Sequence, residues 1–323
     1  MFTWRQSLLP KNLLCAEMAR FISVIIPVYN DCEGLKHTIS CLEQQDYDKD
    51  LYEVIVIDNG SNDETYRMAE EMARKSNTCI KVVLEVQKGS YAARNKGILA
   101  SVGELLCFID ADMSMNSDYL SKIADHFTSN TTDYMGCRVE LVIQRKTLSS
   151  RYEEVFAFPV CDYIEKLYFA PTCCLTIRRS IIEQVGLFDS RLESGGDFQF
   201  GRRVHAAGLQ QKYTDEIVLR HPARWQFSSL IRKAERTARG HAQLSFYFPQ
   251  EYGHHFRAQI SILNLLPLSS KKLRSKLQNR NLDATFFVKV MLLLLPIPLR
   301  VFGAVAALRE RARLDRKPED LSQ

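Results

Sequence analysis

From Phe21 onward the chain alternates short β-branched runs with stretches of helical period. The runs are Phe21 to Pro27, Glu53 to Ile57, Ile80 to Leu84 and Leu105 to Ile109, and the spacing between them predicts helices near Gly34 to Gln45, Asp63 to Lys75 and Ser90 to Ala100. Strand alternating with helix is the pattern of a parallel sheet joined by crossover helices. The strands are unbroken apolar runs rather than alternating ones, as expected when helices cover both sheet faces. The predicted class is therefore α/β, with a mostly parallel sheet.

Ligands of such sheets bind outside the carboxyl ends of the strands, so the residues there can be read as one set. They are Pro27-Val28-Tyr29-Asn30, Asp58-Asn59-Gly60-Ser61 and Asp110-Ala111-Asp112. Asp110 and Asp112 are the most costly members. Residues i and i+2 of an extended segment point the same way, and two carboxylates facing one small volume repel unless a cation lies between them. Hard oxygen ligands suit Mg²⁺ or Mn²⁺. The competing assignment makes Asp112 the cap of a helix starting near Ser114.

Composition narrows the setting. With 323 residues, 46% of them apolar, the chain can build a substantial core. Its nine cysteines show no CxxC spacing, which argues against a zinc cluster or a disulfide framework and for a reducing cytosol. Leu13-Leu14 is too short for the apolar centre of a signal peptide. The net charge of +5 divides unevenly: residues 222–323 hold 18 Lys+Arg against 7 Asp+Glu, or +11, which leaves −6 for residues 1–221. The basic part contains a helical stretch, Ser228 to Gly240, with Arg232, Lys233, Arg236 and Arg239. It also contains the apolar stretches Ile260 to Leu268 and Phe286 to Leu308, the second interrupted by Lys289, Pro296, Pro298 and Arg300. Basic and apolar character together favour an anionic membrane surface over nucleic acid, and the interruptions favour helices lying in the interface over one clean crossing. A soluble helical subdomain is the alternative.

The motifs Val24-Ile25-Ile26-Pro27-Val28-Tyr29-Asn30, Val56-Ile57-Asp58-Asn59-Gly60-Ser61-Asn62-Asp63, Ala92-Ala93-Arg94-Asn95-Lys96-Gly97 and Asp110-Ala111-Asp112 resemble, in order and spacing, the family 2 glycosyltransferases of GT-A fold. The likeness is to members of polysaccharide-biosynthesis type and spans roughly residues 21–225. It implies a nucleotide-diphosphate sugar donor, a divalent metal and inversion at the anomeric carbon. By the resemblance Pro27, Tyr29 and Asn30 border the nucleoside, Asp58 accepts a hydrogen bond from base or ribose, and Arg94 lies near base and diphosphate. Asp112 holds the metal, with Asp110 contacting ribose or metal, and His221 matches a third metal ligand. Lys88 and Gly89 precede a helix whose N-terminus suits an anion.

Asp197 is the candidate catalytic base, within Gly195-Gly196-Asp197-Phe198-Gln199. The family's acidic motif usually carries further acids where Gly196 and Gln199 stand, so one carboxylate remains. A helix dipole at that point would favour its ionised form. Arg203, more than Arg202, is expected near the site, and His205 is expected to be a surface or packing residue. The domain organisation implied is an arm over 1–20, a GT-A domain over 21–225 (nucleotide half 21–128, acceptor half 129–225) and a membrane-associating tail over 226–323. The enzyme implied transfers sugar to a lipid-linked or polysaccharide acceptor at the cytoplasmic membrane face. A scaffold with a degenerate site is one alternative. A nucleotidyltransferase is another, although Pro27 to Glu33 supplies no Gly-rich phosphate loop with a lysine.

Overall fold

The computed structural model describes residues 20–129 and 131–316, so the arm predicted over 1–20 lies almost wholly outside the described residues. Strand β1 (Ile22–Val28) runs through the centre, and Ile22, Val24, Ile25 and Ile26 are fully buried. It pairs in parallel with β2 (Tyr52–Asp58) on one side and with β4 (Leu105–Phe108) on the other, while β3 (Cys79–Leu84) extends the sheet in parallel beyond β2. The sequence thus predicts these four strands to within a residue or so at each end. The helices α1 (Cys32–Glu43), α2 (Thr65–Lys75) and α3 (Ser90–Ala100) form the crossovers, with α3 packed on β1 and β2. Asp31 caps α1 by accepting from the Gly34 amide at 3.1 Å.

Register fixes where the polar strand ends meet. Val28 stands opposite Asp58, and Ile25 opposite Phe108, so the residues after β1, β2 and β4 emerge at one level. Beyond β4 the sheet changes character. The order is β3-β2-β1-β4-β7-β6-β8-β5: β7 (Leu175–Arg178) is antiparallel to both β4 and β6 (Tyr134–Val142), β6 is parallel to β8 (Gln211–Pro222), and the short β5 (Ser114–Met115) is antiparallel to β8. Ser114 to Met115 is therefore strand, and no helix begins there for Asp112 to cap. Pairing of Ser114 with Arg220 carries Asp112 alongside His221.

The second half supplies helices α4 (Tyr119–Ser129), α5 (Leu148–Phe156), α6 (Val160–Leu167), α7 (Ser180–Val185) and α8 (Gly196–Ala206). The C-terminal part continues through α9 (Phe227–Tyr247), α10 (Pro249–Gln259), α11 (Ser270–Asn279), α12 (Phe286–Leu294) and α13 (Pro296–Asp315). This part folds back onto the sheet domain. Small residues let α9 and α13 approach closely, with Ala238, Ala242 and Ala307 buried between them. The helical run breaks at Leu295, immediately before Pro296, as the sequence suggests; Pro296 then opens α13, where a missing N–H costs nothing, and Pro298 lies in its first turn. By length and composition alone, Phe286–Asp315 is apolar enough to cross a membrane.

Candidate active site

The strand ends are joined to one another before any ligand is considered. Asn30, held at φ 51, has its amide donating to Ser61 Oγ at 2.9 Å, and its Oδ1 accepts from the Asn62 amide at 2.9 Å. Asn59 donates to the Glu85 and Gln87 carbonyls at 3.0 and 2.7 Å and accepts from the Gly89 amide at 2.8 Å, tying β2 to the loop before α3. Lys88 Nζ donates to the Asn59 and Gly60 carbonyls, each at 3.0 Å, and lies 4.6 Å from the centroid of the exposed Tyr29 ring. Asp58 is buried at 1% exposure. Its Oδ2 accepts from the Gly60 and Ser61 amides at 3.0 and 2.9 Å, while Oδ1 has no partner among the described residues. A buried acceptor left open is costly unless a ligand donor reaches it.

Asp110 and Asp112 take different partners. Asp110 Oδ1 accepts from Arg94 Nη2 at 2.6 Å, and Arg94 is itself buried. The two expected ligand contacts are thus first a contact with each other, and Arg94 is not a free phosphate fork. Asp112 Oδ2 lies 3.7 Å from His221 Nε2. His221 Nδ1 is 2.7 Å from the Pro222 carbonyl, which can only accept, so Nδ1 carries a proton and Nε2 is the nitrogen turned toward Asp112. Burial raises the Asp112 pKa, and Asp110 and Asp31 add to the rise against the opposing influence of His221. A carboxylate oxygen and an imidazole nitrogen turned toward each other suit a divalent cation, and fixing a histidine by its other nitrogen is usual for metal ligands. Among the described residues no group of three or more His, Cys, Asp or Glu side chains is gathered for a metal. Asp112 and His221 are the two side chains placed to offer ligands, and water and phosphate oxygens ordinarily complete such a shell.

Asp197 enters the same space from the far side. It sits in the first turn of α8, whose N-cap is Gly195 in a left-handed conformation (φ 81), so Asp197 is not itself the cap. Its Oδ1 accepts from Tyr91 OH at 3.2 Å and from the Phe198 amide at 2.9 Å. Burial raises its pKa, and the Phe198 amide, Arg94 and Tyr91 only partly offset this. Desolvation thus works against the ionised form that a helix N-terminus favours. Burial likewise pushes the Tyr91 hydroxyl up, and the Asp197 charge adds to the effect.

The thinned acidic motif has a packing explanation. A Cβ at Gly196 would lie 2.7 Å from Tyr91 Cε2, so the Tyr91 ring fills the space an acid would need. Gln199 is buried and accepts from Arg203 Nε at 3.1 Å. Arg203 gives its remaining donors to the Val185 and Leu187 carbonyls, so the expectation that it contacts the donor is corrected. It clamps the turn leading to Phe188. His205 stacks on Tyr168, as a packing residue would.

Some of these groups line one cavity of about 1170 Å³, bounded by Pro27, Tyr29, Arg94 and Asp110 on the strand-end side, by Asp197 and His221 opposite, and by α5, α9 and α13; Asp58 and Asp112 are not among its lining residues. Its residues that sequence reasoning missed are Tyr91, Glu153 and Arg224, together with the inward face of α9 carrying Lys233 and Arg236. Only the three-residue spacing of Lys233 and Arg236 in the basic helix gave a signal; Glu153 gave none.

An α/β sheet with a divided acidic crevice beyond its central strands has the arrangement of a GT-A glycosyltransferase, and comparison with known proteins agrees. The Glycosyl transferase family 2 model matches residues 23–186, and the Glycosyl transferase family group 2 model matches residues 105–308. Glycosyltransferase AglE of Haloferax volcanii is 34% identical over 225 residues, which cover 69% of this chain and 74% of that protein. The fold is similar to that of the mannosyltransferase PcManGT from Pyrobaculum calidifontis, solved with GDP-Man and Mn²⁺, at a TM-score of 0.58 and 17% identity over 91% of this chain and 87% of that one. It is also similar to S. aureus TarS 1-349 with UDP-GlcNAc, at a TM-score of 0.53 and 18% identity over 92% of each chain. The chain belongs to glycosyl transferase family 2 and is a glycosyltransferase of GT-A fold.

Proposed function

We propose that this enzyme transfers a sugar, with inversion, from a nucleotide-diphosphate sugar to a hydroxyl of a lipid-linked or polysaccharide acceptor at the cytoplasmic face of the membrane. The observation that carries the reading is Asp197: a carboxylate of raised pKa, lining the same cavity as His221 and as the strand-end residues Pro27, Tyr29 and Asp110. Asp58 Oδ1, open and buried, accepts from the base or ribose, while Pro27, Tyr29 and Asn30 border the nucleoside. Asp112 and His221 would hold Mg²⁺ or Mn²⁺; a structural neighbour, PcManGT, was solved with Mn²⁺, which supports use of a divalent ion. Such an ion, when bound, neutralises charge on a leaving diphosphate.

The transfer itself is then a single displacement. The acceptor O–H gives its proton to Asp197, the oxygen forms a bond to the anomeric carbon, and the bond from that carbon to the diphosphate oxygen breaks with its electron pair leaving on the diphosphate. A raised pKa suits this task, since a base works best when its pKa approaches the working pH. Arg94, by pairing with Asp110, fixes that carboxylate rather than the phosphate.

Asp197→Asn should bind UDP- or GDP-sugar as the parent does and lose transfer by about 100-fold or more. Unchanged transfer would sink the assignment of the base. The anomeric configuration of the product, read by proton NMR, tests inversion.

A further inference from the structure

Charge does not balance on the cavity wall formed by α5 and α9. Glu153 is buried at 1% exposure and accepts from the Arg224 amide and guanidinium at 2.8 and 3.0 Å and from Lys233 Nζ at 2.9 Å. Burial works to raise its pKa, yet Lys233 and Arg224 hold it below the usual value. Lys233 is pushed down by desolvation and by Arg224 beside it. Arg236 follows one turn along α9 and lines the same cavity, and it makes no hydrogen bond or ion pair among the described residues. Glu153 thus pairs with two cations, and Arg236 adds a third whose charge reaches Asp197 and Tyr91. A structural ion pair needs one cation, and excess charge of one sign within cavity walls concentrates counter-ions there.

The surplus of two positive charges is closed by a phosphate group, which lysine and arginine both bind well. Position argues against the donor as its source. The wall beside the cluster is completed by Pro296 and Leu299 of α13, whose next turns expose Val301, Phe302 and Val305 at 40–44%. The cavity wall thus shares a helix with exposed apolar side chains.

We propose that Arg224, Lys233 and Arg236 form a subsite for the phosphate of a lipid-linked acceptor whose sugar hydroxyl reaches Asp197. This rests on the glycosyltransferase reading and names the acceptor class for it. Titration calorimetry of the full chain, with UDP or GDP and Mn²⁺ saturating, tests it using octyl phosphate below its micelle concentration, octyl glucoside and inorganic phosphate as probes. Octyl phosphate is expected to bind, octyl glucoside not to bind, and inorganic phosphate to bind more weakly. Arg236→Ala, at an exposed position that does not threaten folding, should weaken octyl phosphate about tenfold and leave nucleotide affinity unchanged. Displacement of octyl phosphate by nucleotide, or an equal loss of nucleotide affinity in Arg236→Ala, assigns the cluster to the donor and overturns the proposal. Inorganic phosphate binding as tightly as octyl phosphate removes the lipid and overturns it too. Nucleotide binding without any octyl phosphate binding overturns the subsite alone, whereas failure of the parent protein to bind nucleotide overturns the glycosyltransferase reading itself.

Discussion

Tyr91 and Asp197 illustrate how one hydroxyl sets the working range of a carboxylate. Burial raises the Asp197 pKa and Tyr91 OH counters part of the rise by donating to the ionised form. A base of raised pKa is ionised only above that pKa, so the acid limb of kcat/KM should lie above the ordinary carboxylate value of 3.8. Tyr91→Phe removes a lowering influence and should move the limb to higher pH, with a plateau reduced less than about tenfold. A pH–rate profile measures both, and a limb moving to lower pH would refute the pairing. Glu153 behaves in the opposite sense. Its folded pKa lies below 4.5, so its ion pairs contribute stability above that pH and lose it as pH falls through the folded value. Glu153→Gln should cost about 3–5 kcal/mol at neutral pH in urea unfolding, because it leaves Arg224 and Lys233 without a counter-charge.

At the scale of elements, α9 is fitted to the loop before the catalytic base. A Cβ at Gly240 would lie 2.4 Å from the Ser194 carbonyl oxygen. Gly240→Val should therefore destabilise the fold by about 1–3 kcal/mol and also lower turnover at saturating substrate, since the loop must shift. Calorimetric melting and kcat check the pair of effects. The elements of the first half were legible because unbroken β-branched runs admit little besides buried parallel strands, and the Asp-Ala-Asp spacing marked where they end. The second half was less so. The antiparallel β7 and the parallel pairing of β6 with β8 depend on contacts that no local period reports. Glu153 finds its cations 71 and 80 residues away. Arg203 was misread because two adjacent arginines look alike in sequence, and the carbonyls that engage one of them belong to a turn 16 and 18 residues earlier. The loss of acids around Asp197 was visible; its cause, the Tyr91 ring seated at Gly196, needed three dimensions.

Over the whole molecule, charge and apolar surface gather on the C-terminal part. Phe286 and Phe287 are 83% and 70% exposed, and Ile262 and Leu263 are 78% and 68% exposed. These side chains and the +11 balance of residues 222–323 suit an anionic bilayer. Phe286→Glu with Phe287→Glu should abolish co-sedimentation with phosphatidylglycerol-containing vesicles at high salt, while the parent remains bound; equal release of both would leave only surface charge. The α13 helix is also bound into the catalytic part. Glu310 accepts from Gln243 Nε2 at 2.9 Å, Gln243 Oε1 accepts from the Glu193 amide at 2.7 Å, and Arg239 grips the Glu193 carboxylate at 2.6 and 2.7 Å, four residues ahead of Asp197. Trimming the chain near residue 226 to gain solubility would remove these partners together with Lys233, Pro296 and Leu299, so the shortened enzyme would keep its nucleotide crevice but lose one side of its acceptor chamber.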